Sequence, residues 1–177
     1  MTSVHKNRSN AGFTLIELLI VVAIIGVIAA IAVPGLLRAR ATSNETAAMA
    51  SLRSINTAQV NYSAACGWGS FATVFATLRV GPGGSGNGFL SPDLATLPVT
   101  VKSGYEYAIS PGFGGVAGLI DCNGTATNTA YYISSKPATP GITGQRAFAT
   151  NQAGAIWQKT DAIPPIEPFA APATPVQ

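Results

Sequence analysis

From Leu18 to Val33 every residue is apolar or glycine, and the apolar stretch widens to Phe13–Leu37 with a single charge inside it, Glu17. As a helix those 25 residues reach about 37 Å at about 1.5 Å per residue, enough to cross a hydrocarbon core of about 30 Å. The pattern predicts a membrane segment. The rival is a removed secretory signal, whose apolar core runs about 7–15 residues before a small-residue cleavage site. Here the run is longer and continues into Pro34-Gly35-Leu36-Leu37-Arg38.

Beyond the apolar run the period changes. Met49, Leu52, Ile55, Ala58, Gln59 and Tyr62 recur at three- and four-residue spacing, which predicts a helix laying one face on a core. One long bent helix from about Thr14 to about Ala65 accounts for both stretches. Gly26 and Pro34 are its candidate kinks, since proline removes a ladder hydrogen bond. The alternatives are a helix end at Pro34 and a second start at the capping-box pattern Thr42-Ser43-Asn44-Glu45. Cys66-Gly67-Trp68-Gly69 ends the helix, with glycine supplying a left-handed cap. Short helices are expected at 70–78 and 91–97, each opened by a serine N-cap. Between them the 81–88 stretch, Gly-Pro-Gly-Gly-Ser-Gly-Asn-Gly, reads as a flexible loop; it lacks the strand-to-helix context and the Lys-Ser/Thr of a phosphate cradle.

From Tyr105 the pattern is that of strands. Residues 105–109, 130–134, 146–150 and 155–158 are short, aromatic or branched, and separated by Gly, Pro and Asn. The last two form a hairpin around 151–154. An antiparallel sheet of three to four strands packed on the upper helix buries both apolar faces at once, giving an α+β class. The final fifteen residues, 163–177, hold five prolines and are expected to be a flexible tail, extended or disordered and not a strand.

Composition narrows the function. With 177 residues, 47% hydrophobic and 10% charged, the chain accommodates one anchor and one modest domain. The net charge of +3 includes Lys6 and Arg8, which precede the apolar run; the rest carries eight Lys/Arg against seven Asp/Glu. No nucleic-acid footprint remains. His5 is the only histidine, so the chain after residue 12 has none for acid–base work or metal ligation. No paired-cysteine zinc spacing and no calcium-loop spacing of acids is present. No catalytic site, metal or cofactor is expected, and the chain does not read as an enzyme.

Glu17 decides the reading. A carboxylate near the start of a spanning helix is costly unless it is paired or neutralised, and the neighbouring chain offers no cation unless a new N-terminus is made at Phe13. Gly12-Phe13-Thr14-Leu15-Ile16-Glu17, after a short polar leader and before the apolar run and Pro34, resembles the N-terminal signature of type IV pilins and of the pseudopilins of type II secretion. The resemblance covers residues 1–65 closely and the remainder only in architecture. It implies a pilin fold, with leader 1–12, a transmembrane or filament-core half-helix 13–37, a periplasmic or surface globular domain 38–162 and the tail 163–177.

It further implies cleavage between Gly12 and Phe13 by a prepilin peptidase and N-methylation of Phe13. Glu17 would then meet the Phe13 amine of a neighbouring subunit, setting register; an intrasubunit pair at i and i+4 is the geometric alternative. Partners implied are other copies of the chain, the peptidase, an assembly ATPase and an inner-membrane platform protein. The chain would sit in the inner membrane with its C-terminal domain in the periplasm, then move into a surface pilus. The alternatives are a periplasmic type II secretion pseudopilus and a single-span anchored binding domain that never polymerises. Cys66 and Cys122, the only cysteines, both follow the span, and an oxidising periplasm favours one bridge between them over two free thiols.

Overall fold

A computed structural model describes residues 12–94 and 100–176. The predicted leader, apart from Gly12, lies outside the described residues, as do residues 95–99, where the second short helix was expected to close. The chain divides into two units, Met1–Leu37 and Arg38–Gln177. Helix α1, Leu15–Ala65, contributes to both and has Pro34 within it.

In the second unit α1 buries Glu45, Ala48, Ser51, Leu52, Ile55, Ala58, Gln59 and Tyr62. Their three- and four-residue spacing is the stripe expected of a helix docked on a sheet. The separate helix start weighed at Thr42–Glu45 does not occur: α1 runs through it, and Glu45 is used elsewhere. The sheet has six antiparallel strands in sequence order: β1 Thr100–Lys102, β2 Tyr105–Pro111, β3 Tyr131–Pro137, β4 Ala147–Asn151, β5 Ile156–Lys159 and β6 Thr174–Pro175. The four strands expected from the aromatic and branched runs are β2 to β5. The two additional strands are short edges whose few residues carry no alternation of their own.

The inner face of the sheet supplies Tyr105, Tyr107, Tyr131, Ile133, Phe148 and Ile156 to one core with Leu52, Ile55 and Tyr62 of α1. Strand β4 is unusual in being buried at four successive positions, Ala147 to Thr150, where a sheet with one wet face would alternate. The cause lies in the C-terminal segment. Phe169 stacks on Trp157 of β5 with ring centroids 5.3 Å apart and approaches Tyr132 of β3. Tyr132 donates its hydroxyl to the Pro165 carbonyl, and Glu167 accepts from Asn151 Nδ2 at 2.6 Å and from the Phe113 N–H at 2.7 Å. Thr174–Pro175 then pairs with β5. The expectation that 163–177 contains no strand is thereby corrected: proline is tolerated on an edge strand, and aromatic and carboxylate groups spaced between the prolines find partners on the sheet.

The end of α1 is tied down by polar groups. Gln59 is fully buried and makes a two-way bridge, Nε2 donating to the Ala72 carbonyl at 2.8 Å while Oε1 accepts the Ala72 N–H at 3.0 Å. After Ala65 the left-handed residues are Trp68 (φ 53°) and Gly69 (φ 87°), not Gly67. Gly67 is required for a different reason: a Cβ there would lie 2.2 Å from the Ser70 carbonyl oxygen. The helix expected from Ser70 is reduced to one turn, α2 Phe75–Leu78, preceded by Val74 and not by a capping serine. In the 81–88 loop, Asn123 Oδ1 accepts the Gly84 N–H and its Nδ2 donates to the Gly81 carbonyl.

Cys66 and Cys122 are joined, with their α-carbons 4.9 Å apart. Asp121, beside this bridge and buried, accepts the Tyr62 hydroxyl at 2.7 Å on Oδ2 and the N–H groups of Asn123 (2.9 Å) and Thr125 (2.6 Å) on Oδ1. Burial, and next the adjacent Asp121, push the Tyr62 phenol well above its usual titration range. Tyr62 therefore stays a donor at any physiological pH. Replacing Tyr62 with Phe strands one carboxylate oxygen without its side-chain donor, and urea unfolding of the detergent-solubilised chain should show a loss of about 1–3 kcal/mol.

Candidate assembly segment

Within the first unit the apolar side chains of α1 have nothing covering them. Over its most apolar 18-residue window the mean hydropathy is 3.0 and no residue is buried. Leu15, Ile16, Leu18, Leu19, Ile20 and Val21 are all exposed, and Gly26 and Gly35 have open space where a Cβ would stand. A helix apolar on every side is stable only in lipid or among other apolar helices.

Its N-terminus carries a polar device. Thr14 precedes the first helical residue, and Glu17 stands three positions on. The Glu17 N–H donates to Thr14 Oγ1 at 3.3 Å, while Glu17 Oε2 accepts the Thr14 N–H at 3.0 Å and the Thr14 hydroxyl at 2.6 Å. This is a capping box, which satisfies helix N–H groups left without intrahelical partners. The carboxylate also lies at the positive end of the helix dipole. Thr14-Leu15-Ile16-Glu17 is legible as such a box in the sequence, and the reading of Glu17 as an assembly residue passed over it.

The remaining expected site residues fall as follows. Phe13 is 81% exposed and immediately precedes the box; Gly12 has open space about it. Gly26 and Pro34 lie within α1, and Cys66 and Cys122 are brought together. The acids are dispersed: Asp93 pairs with Lys102, Glu106 with Lys136 and Asp161 with Lys159. Among the described residues no group of three or more His, Cys, Asp or Glu side chains could hold a metal ion.

Residues 7–33 match the family described as the prokaryotic N-terminal methylation motif. The chain is 50% identical over 56 residues to the type IV major pilin protein PilA of Myxococcus xanthus, a stretch that is 32% of this chain and 26% of that protein. The N-terminal segment is similar to that of type IV major pilins. It is also 56% identical over 45 residues to the type IV wide pilus major component PilA4 of Thermus thermophilus, covering 25% of this chain and 34% of the relative. The match thus spans about a third or less of each pilin's length, and no solved structure matches the chain. Within that pilin-type segment Phe13 is the residue that follows Gly12, and Glu17 is the lone acid of the apolar run.

Proposed function

We propose that the chain is the structural subunit of a type IV pilus-like filament. It is cut between Gly12 and Phe13 by a prepilin peptidase, N-methylated at Phe13, and polymerised through Phe13–Leu37. The observation that carries this reading is the uncovered apolar N-terminal part of α1, which begins at Leu15 directly after Phe13-Thr14 and lies within the match to the methylation motif. Withdrawing such a helix from lipid costs on the order of tens of kcal/mol unless neighbouring helices replace the lipid contacts. An assembly ATPase and a platform membrane protein would supply the drive, and the Cys66–Cys122 bridge agrees with a C-terminal domain facing the periplasm.

Glu17 has a particular place in this scheme. The Thr14 donors hold its carboxylate at the head of the helix before any partner arrives. Cleavage then creates a cation at Phe13, one residue before the box, and the amine of a neighbouring subunit completes the charge balance. Gly26 and Pro34 would be where the helix loosens as subunits pack.

Intact mass and N-terminal fragmentation of protein from sheared surface filaments and from membranes test the reading. A chain starting at Phe13 with one added methyl, present in the sheared fraction, is expected. Presence only in the envelope would favour a secretion pseudopilus, and a chain that keeps residues 1–12 in every fraction would leave an anchored domain. Glu17→Ala is expected to remove sheared filaments while leaving the protein in the membrane; normal filaments from this variant would refute the pairing role.

A further inference from the structure

Two asparagines are followed by glycine, Asn87-Gly88 and Asn123-Gly124, and the fold treats them oppositely. In such a pair the glycine nitrogen can attack the side-chain amide carbon of the asparagine, and with no Cβ on the glycine it meets little obstruction. At Asn123-Gly124 every group that this attack needs is engaged. Asn123 Oδ1 accepts the Gly84 N–H at 2.9 Å and Nδ2 donates to the Gly81 carbonyl at 3.1 Å, while the Gly124 N–H donates to the Asp121 carbonyl at 3.1 Å. An N–H held by a carbonyl is stabilised in its neutral form. The Asp121 carboxylate, which accepts the Asn123 N–H at 2.9 Å, also opposes any negative charge that develops there.

Asn87-Gly88 has the reverse surroundings. Asn87 is exposed, and neither its side-chain amide nor the Gly88 N–H has a hydrogen-bond partner among the described residues. Arg79 lines with Asn87 and Gly88 one cleft of about 380 Å³, and it forms no ion pair among the described residues. The nearest acid along the chain, Asp93, is paired with Lys102 at 2.6 Å. A guanidinium in the same cleft favours both a deprotonated Gly88 nitrogen and the oxyanion formed at Asn87 Cγ.

We propose that Asn87-Gly88 is a site of spontaneous modification, at which Asn87, aided by Arg79, closes to a succinimide and reopens as aspartate or isoaspartate. The Gly88 nitrogen, having lost its proton to water, bonds to Asn87 Cγ; the bond from Cγ to the side-chain nitrogen breaks and ammonia leaves. Water then cleaves one of the two imide bonds, at Cγ to give aspartate or at the Asn87 main-chain carbonyl to give isoaspartate. One water is consumed, one ammonia is released, and a neutral amide has become a carboxylate. The isoaspartyl chain runs through Cβ and Cγ, one carbon longer than before, where the backbone is already closely seated. A Cβ on Gly88 would lie 2.2 Å from the Arg79 carbonyl oxygen, and one on Gly81 2.2 Å from the Asn87 carbonyl oxygen. The modified loop must therefore leave that seat.

The test incubates the full detergent-solubilised chain at mildly alkaline pH and follows the peptides carrying Asn87 and Asn123 by mass, with electron-transfer fragmentation to distinguish isoaspartate. The same chain unfolded in guanidinium chloride, where neither pair has its folded surroundings, is the reference. In the folded chain Asn123 should convert about tenfold or more slowly than Asn87, whereas the two should convert at similar rates when unfolded. Folded Asn123 converting as fast as Asn87, or folded Asn87 staying intact while the unfolded chain converts, overturns the proposal. Arg79→Gln should slow conversion of Asn87 by about threefold in the folded chain and leave the unfolded rate unchanged; an equal folded rate overturns the part given to Arg79.

Discussion

Glu45→Ala should be among the most damaging substitutions in the second unit, lowering its stability by about 1.5–3 kcal/mol, the usual worth of hydrogen bonds to a charged group. Glu45 projects from α1 to the start of β4. Its Oε2 meets Arg146 Nε and Nη2, each at 2.7 Å, and its Oε1 accepts the backbone N–H groups of Gln145 (2.9 Å) and Arg146 (3.1 Å). Arg146 in turn donates to Gln158 on β5 at 3.0 Å and lies over the Phe148 ring. The alanine variant leaves two part-buried backbone donors and a guanidinium without their carboxylate acceptor. Glu45→Gln, which keeps one acceptor, should cost less. Urea unfolding of the detergent-solubilised chain, followed by tryptophan fluorescence, measures both.

The same group makes stability depend on pH. Burial works to raise the Glu45 carboxyl, but the two backbone donors and the Arg146 side chain outweigh it and hold the group below its ordinary value. A carboxylate depressed in the folded state contributes stability that is fully present above its unfolded pKa, about 4.3, and is lost as pH falls through the folded value. The wild-type chain should therefore lose stability on acidification below about pH 4.3, and Glu45→Ala should lose less over the same range. Equal acid sensitivity in the two would mean that other carboxylates govern it.

Replacing Cys66 and Cys122 together with serine is the second large effect. The bridge spans a sequence separation of 56, and in the chain-entropy argument closing such a loop in the unfolded chain is worth about 4 kcal/mol. The double variant should unfold at correspondingly lower urea. The loss should be concentrated at the end of α1, where Tyr62–Asp121 and Gln59–Ala72 provide the remaining ties. A variant as stable as the parent would mean that these hydrogen bonds alone hold the segment.

How far the sequence revealed this arrangement depends on the range of the interactions involved. The helix stripe through Leu52, Ile55 and Tyr62 was legible because a 3.6-residue period is written locally, as were the four longer strands. Two Ser/Thr-x-x-Glu patterns show the limit. Thr14–Glu17 caps a helix, whereas Thr42–Glu45 does not, because Glu45 has Arg146 as partner about a hundred residues away. Local pattern cannot register that choice. The C-terminal segment misleads for the same reason: its prolines argue for loose chain, and only the outer face of β3 to β5, assembled from other parts of the sequence, offers Phe169 and Glu167 their places. At the N-terminal segment, Gly12, Phe13 and Glu17 were given their roles only through a resemblance to processed filament subunits, and the capping role of Thr14 was the local chemistry that it obscured.

The strict sequence order of the sheet has a consequence for how the domain reaches its native state. Each strand pairs with the one before it, so pairing can advance as a zipper from β1 to β5, with residues 112–130 the longest connection to close. The contacts of high sequence separation are those between helix and sheet, such as Glu45 with Arg146, 101 residues apart. Loop-closure entropy grows with separation and must be met before such contacts give any return. Joining the helix to a nearly complete sheet is thus the expected slow step, and a chain paused before it would still present the aromatic inner face of that sheet to its neighbours.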